Sequence, residues 1–329
     1  MDSLTQAALG AGLAAACVPP GHRRRALVAG ALLGTLPDLD VFIDYGDPVR
    51  NFTFHRGFSH SLFVLPPVAL AIWLALRQSW QPVREAPRAW LAAILLALVT
   101  HPLLDAHTAY GTQLLWPLPT PPVAWSTLFI IDPAFTLPLV AGCLLAATWP
   151  RGAPARRALR VALGLAVLYL GWSWSAKAIV EDHARRALAA EGLADAPLFS
   201  VPTPFNTLLW RVVVLTDDGY LEGFDSLLVD EGPLDFTAHP SDRAALAAVG
   251  DAWAVGRLRW FARDFVAAVR DDGQLVVTDL RMGQEPKYVF RFVVARRDGA
   301  DWVPVTPVEL PSLVTRDDVA TVWRRLTGS

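Results

Sequence analysis

The chain has 329 residues, is 53% hydrophobic and only 18% charged, and carries a formal net charge of −2. That balance excludes an ordinary soluble domain over the whole length and a global basic field for nucleic acid, so no direct nucleic-acid partner is expected. Its two cysteines, Cys17 and Cys143, both lie in apolar runs, which excludes a disulfide framework and a cysteine-based zinc site.

Charged residues are sparse up to about residue 180 and recur every few positions after it. The expectation is a mainly α chain. Residues 1–180 form a polytopic membrane bundle of about six helices, and 181–329 form a small soluble α+β domain. The first apolar run, about 3–19, follows Asp2 and precedes Arg23, Arg24 and Arg25. A signal peptide has the reverse charge order, so a retained membrane helix is expected. Further runs lie at about 26–43, 61–76, 89–105, 132–149 and 159–177. A full crossing takes about 20 apolar residues, and several of these are shorter.

Arginine bias in the short connections sets the orientation. Arg23 to Arg25, then Arg77, Arg84 and Arg88, then Arg151, Arg156, Arg157 and Arg160 fall on one side, expected to be cytoplasmic. Of the acids before residue 180, all but Glu85 fall on the other side. His55, His60, His101 and His107 join them there. The rise from Arg25 to Asp38, and from Arg88 to His101, is only about 20 Å at about 1.5 Å per residue. The hydrocarbon core is about 30 Å thick. Asp38 and His101 are therefore expected at or below the outer headgroups, where unpaired charge is costly.

Three segments supply candidate ligands. PDLD offers Asp38 and Asp40, HRGFSH offers His55 and His60, and HPLLD offers His101 and Asp105. Residues four apart share a helix face, so His101 and Asp105 can converge on one ion. Imidazole with carboxylate suits a divalent metal, zinc first, with manganese or iron as alternatives. The metal set is Asp38, Asp40, His60, His101 and Asp105, with His55 and Asp40 as catalytic candidates. Gln6, Arg56 and Asp132 are expected beside the ligands or against the substrate. Each element also has a plainer reading. PDLD makes a turn, HPLLD a hydrogen-bonded pair, and Asp132 before Pro133 a helix start. Together they could be a polar network tying helix ends.

The segments MDSLTQAALG, GTLPDLD, HRGFSHS and HPLLDAHTAYGTQLLWP resemble, in order and spacing over about residues 1–135, the YdjM-like family of bacterial inner-membrane proteins. That family is described as metal-dependent hydrolases and is remotely linked to zinc-dependent phospholipase C. The resemblance implies ligands at Asp38, Asp40, His55, His60, His101 and Asp105, and hydrolysis of a phosphoester. The chain departs from the family pattern at Gln6, where relatives carry His, which puts an ion beside the first helix in doubt.

Beyond residue 181, LLWRVVVLT and YLEGFDSLLV flank DDG, a hairpin signal. Residues 241–269 read as one helix capped by Ser241. LVVTDLR and KYVFRFVVAR read as strands. Trp210 and Arg211 are expected near the lipid surface, and 150–158 and about 178–200 as linkers.

The resulting expectation is a multi-pass protein of the bacterial inner membrane with its site and C-terminal domain on the outer side. It would hydrolyse a lipid-like or amphiphilic phosphoester through metal-activated water, with membrane lipids as its other partners. The alternatives are a non-catalytic assembly or binding protein, and an ion or solute transporter.

Overall fold

The computed structural model describes residues 1–149, 152–230, 232–315, 322 and 324–326. The chain forms two compact units. The first comprises Met1–Phe42, Arg56–Trp125 and Phe129–Ser173, and the second Ile43–His55, Ser126–Leu128 and Trp174–Ser329.

The first unit is helical. It is built from α1 (Ser3–Cys17), α2 (Arg23–Thr35), α4 (Leu65–Ser79), α5 (Gln81–Glu85), α6 (Pro87–Asp105), α7 (Pro133–Thr148) and the first part of α8 (Ala153–Ala190). Asp2 caps α1, accepting from Thr5 N at 3.0 Å, and Asp132 caps α7, accepting from Phe135 N at 3.1 Å. Such caps satisfy backbone donors that a helix start leaves open. Helix α1 packs against α2, α6 and α7. The approach to α2 is very close: a Cβ on Gly10 would lie 2.3 Å from Gly30 O, and one on Gly34 would lie 2.5 Å from Gln6 O. Only glycine permits this contact, as at small-residue interfaces of membrane helices. It brings the polar Gln6 to the C-terminal end of α2.

Helices form at all six expected apolar runs, but six membrane helices are not supported. Among the described residues two, α6 and α8, are long and apolar enough to cross a membrane. The number is three if Pro48–His60 and Leu65–Ser79, bent by 57° at their break, make one span. Helices α1 and α7 are shorter, and α2, with 13 residues, rises about 20 Å. The apolar runs were correct in place but mostly too short for a crossing. The expected linkers are shorter: residues 153–158 and 178–190 belong to α8 and 198–200 to a strand, which leaves 191–197 as the connection, while 150 and 151 lie outside the described residues.

The second unit is rich in sheet. Strands β1 (Leu198–Pro202), β2 (Leu209–Thr216), β3 (Gly219–Ser226) and β4 (Phe236–Pro240) form an antiparallel sheet in chain order. The β2–β3 hairpin turns at Asp217–Asp218, as its sequence signals. A second sheet has the order β10 (Asp301–Glu309), β9 (Arg291–Asp298), β6 (Gln274–Asp279), β5 (Val266–Asp271), and β7 (Gly283–Gln284) pairs with β8 (Lys287–Tyr288). Ala176, Val180, Ala184 and Leu188, four residues apart on α8, bury against Trp210, Val212 and Val214. The intervening Val213 packs with Phe265, Leu280 and Tyr288. Both faces of β2 are covered, which is why it reads as an unbroken apolar run.

Trp210 and Arg211 are therefore core residues, 0% and 2% exposed, not a lipid-facing rim. The Arg211 guanidinium is neutralised by Glu222 at 2.5 Å and donates to Leu280 O at 2.6 Å. Helix α3 (Pro48–Phe54) belongs to this unit, its Phe52 ring stacked among Phe261, Phe290 and Phe292. The single helix expected over 241–269 is instead α9 (Arg243–Ala248), α10 (Trp253–Ala262) and strand β5. Asp242, not Ser241, caps α9 by accepting from Ala245 N.

Candidate metal centre

Four expected residues meet inside the first unit. Asp38, His60, His101 and Asp105 each offer a ligand atom, all within 4.8 Å of one another. Three elements carry them. Asp38 sits in the 3-10 turn Pro37–Phe42 that ends α2. His60 ends the 3-10 turn Phe58–His60 before α4, and His101 and Asp105 share a face of the last turns of α6. Side chains of His60, His101 and Asp105 are fully buried, whereas that of Asp38 is 21% exposed.

Hydrogen bonds on the far side of each ring fix where its proton sits. His101 Nδ1 lies 2.6 Å from Gly34 O, an acceptor only, so Nδ1 carries the hydrogen. Ser59 Oγ donates its single proton to Asp40 Oδ2 at 2.5 Å. Its oxygen, 2.9 Å from His60 Nδ1, accepts from that nitrogen. With both rings neutral, each Nε2 keeps a lone pair. These two Nε2 atoms face each other at 3.1 Å. Asp105 Oδ2 lies 3.1 Å from one and 3.3 Å from the other. Asp38 Oδ1 lies 3.4 Å and 3.3 Å away, and it is buried without a hydrogen bond. Two imidazole nitrogens and two carboxylate oxygens thus converge, with the imidazoles in hydrogen-bond range of each other and of Asp105, an arrangement that a bound proton or a metal cation stabilises. Histidine ligands characteristically donate their other N–H to a carbonyl or similar acceptor, as both do here. Two imidazole nitrogens and two carboxylate oxygens fit a divalent transition metal.

Neighbouring residues hold the four side chains in place. Asp105 Oδ1, turned away from the imidazoles, accepts from Gln6 Nε2 at 3.0 Å and from the Met1 amino group, and lies 3.3 Å from Arg56 Nη2. Gln6 also donates to His101 O at 3.1 Å, so its amide acts as a donor to the site. Arg56 has a positive φ of 60°. Its backbone N donates to Asp40 Oδ2 at 2.9 Å and its Nη1 to Thr108 Oγ1 at 3.2 Å. Asp40 lies outside the four-residue cluster and meets it through Ser59 and by an approach of its Oδ2 to 3.9 Å from His60 Nδ1. Asp132 is also elsewhere, capping α7 and accepting from Tyr169 OH at 2.9 Å. His55 ends α3 and is grouped with the second unit. Ser59 was not singled out from sequence; its place beside His60 in HRGFSH was the available signal.

Residues 1–180 match the family described as YdjM inner membrane protein. The chain belongs to that family. The match covers the four converging residues and the helices that carry them, and it makes this an inner-membrane family protein. No curated protein and no solved structure matches the chain.

Proposed function

We propose that Asp38, His60, His101 and Asp105 hold a divalent cation, zinc first, and that the chain is a membrane-embedded metal-dependent hydrolase of a lipid-like phosphoester. The observation that carries the reading is the convergence of two imidazole lone pairs and two carboxylate oxygens. When bound, the ion supplies Lewis-acid chemistry toward a phosphoryl group and toward water. The chain's own residues then have distinct tasks. Ser59 and Asp40 lock the His60 tautomer, Gly34 locks that of His101, and Gln6 and Arg56 orient Asp105. His55 and Asp40 stay in the proposal as candidate acid–base groups.

Access supports an amphiphilic substrate. Asp38 alone of the four reaches solvent, and its turn also exposes Leu39, Val41 and Phe42 at 52%, 63% and 83%. The exposed edge of Asp38 is thus flanked by apolar side chains. The arginine distribution supports placing this end on the outer side of the inner membrane.

The test is a phosphoester screen, with and without acyl chains, on detergent-purified protein loaded with zinc or manganese. Wild type is expected to cleave an acylated phosphoester, and His60→Ala to fall to background while remaining folded. His55→Gln is expected to lower turnover without changing metal content. Full activity in metal-free His60→Ala protein would overturn the reading.

A further inference from the structure

A second charged feature lies away from the proposed ion. A surface basin of about 330 Å3 is lined by Ala153, Arg156, Arg157, Arg160 and Val161. A neighbouring hollow is bordered by Arg24, Trp149, Gly152 and Pro154. The start of α2 is tied to this region, with Arg24 Nε donating to Ala147 O at 2.8 Å and Arg23 Nη1 to Gly152 O at 3.4 Å. Among the described residues, Arg156, Arg157 and Arg160 have no ion pair. Neither α2 nor α8 has an acid in its first turn, where the helix dipole favours one. Burial and the charge of Arg156 both push the Arg23 guanidinium below its usual pKa. A preference for arginine on one side of a membrane accounts for the side, but requires neither a cavity nor this clustering.

The surface below the arginines bears on the class of ligand. Arg157, Val161, Leu165 and Leu168 follow one another down one face of α8. The three apolar residues are exposed at 54%, 46% and 70%, on a helix apolar enough to cross a membrane. Free phosphate has no use for such a stripe, whereas a phospholipid has a phosphate above and acyl chains below. We infer that the basin of Arg156, Arg157 and Arg160 binds the phosphate headgroup of an anionic phospholipid, with its acyl chains along Val161, Leu165 and Leu168. This site is separate from the proposed metal centre and does not depend on it.

Native mass spectrometry of the full chain in mild detergent, titrated with phosphatidylglycerol or phosphatidylcholine, tests the inference. Wild type is expected to retain phosphatidylglycerol preferentially. The triple variant Arg156→Gln/Arg157→Gln/Arg160→Gln should bind it about a hundredfold more weakly, with metal content unchanged. Arg77→Gln, on α4, should bind it as wild type does. Should the triple variant fail to fold, Arg157→Gln alone is expected to weaken binding about fivefold. Wild-type affinity in the arginine variants, or equal affinity for the two lipids, would overturn the inference. So would displacement of the lipid by soluble glycerol phosphate at matched concentration, which would reassign the basin to free phosphate.

Discussion

The proton on each imidazole decides what the buried cluster can do. Gly34 O and Ser59 Oγ draw the two N–H groups outward, so in the neutral rings both Nε2 lone pairs point inward. Ser59→Ala removes the acceptor beside His60 and leaves its ring free to take either tautomer. The variant is expected to bind metal about 10- to 100-fold more weakly, and Ser59→Thr to restore most of the affinity, both read by competition with a chromogenic chelator. Unchanged affinity in Ser59→Ala would refute the tautomer lock. Residue types and helical spacing made Asp38, His60, His101 and Asp105 legible from sequence. Asp40 was not separable from Asp38, because PDLD presents them as equals. The 3-10 turn separates them: at about three residues per turn, positions two apart face different directions. Asp38 faces the imidazoles and Asp40 faces Ser59 and the backbone of Arg56.

Element packing explains why the ligands meet. A Cβ on Gly30 would lie 2.3 Å from Gly10 O and 2.6 Å from Ala14 Cβ. Gly30→Ala must therefore part α1 from α2 and draw Gln6 away from Asp105. A loss of about 2 kcal/mol is expected, within the usual range for overpacking, together with weaker metal binding. Thermal unfolding and chelator competition on one preparation check both, and an unchanged Tm would contradict the close-packing account. The same scale shows where sequence reading stopped. DFVAAV reads as helix from sequence because a short apolar run fits either period. The break ahead of it is at Arg263 and Asp264, with φ of 52° and 65°. Neither is glycine, so nothing in the residue types announced a left-handed turn.

For the whole molecule, composition divided a helical, apolar part from a sheet-rich one, and arginine bias supplied an orientation. Composition could not show that 43–55 joins the second unit, because that grouping rests on contacts such as Phe52 with Phe261. Nor could it separate apolar helices that cross a membrane from those that only pack, since both bury the same residue types. The proposed orientation puts the β5–β6 turn at Asp272 on the outer side of the inner membrane. Asp272→Cys, in a chain carrying Cys17→Ala and Cys143→Ala, is expected to react with an impermeant maleimide in intact cells. Labelling only after permeabilisation would reverse the orientation.

The proposed ion would hold Asp38, His60, His101 and Asp105 together. Its most direct test is metal content by inductively coupled plasma mass spectrometry on purified protein, with Asp38→Ala and His60→Ala beside the wild type. Stoichiometric zinc, manganese or iron is expected in wild type, lost from both variants while their helical circular dichroism is retained. Wild-type protein that holds no metal after purification and reconstitution would contradict it and leave the cluster a polar network joining helix ends.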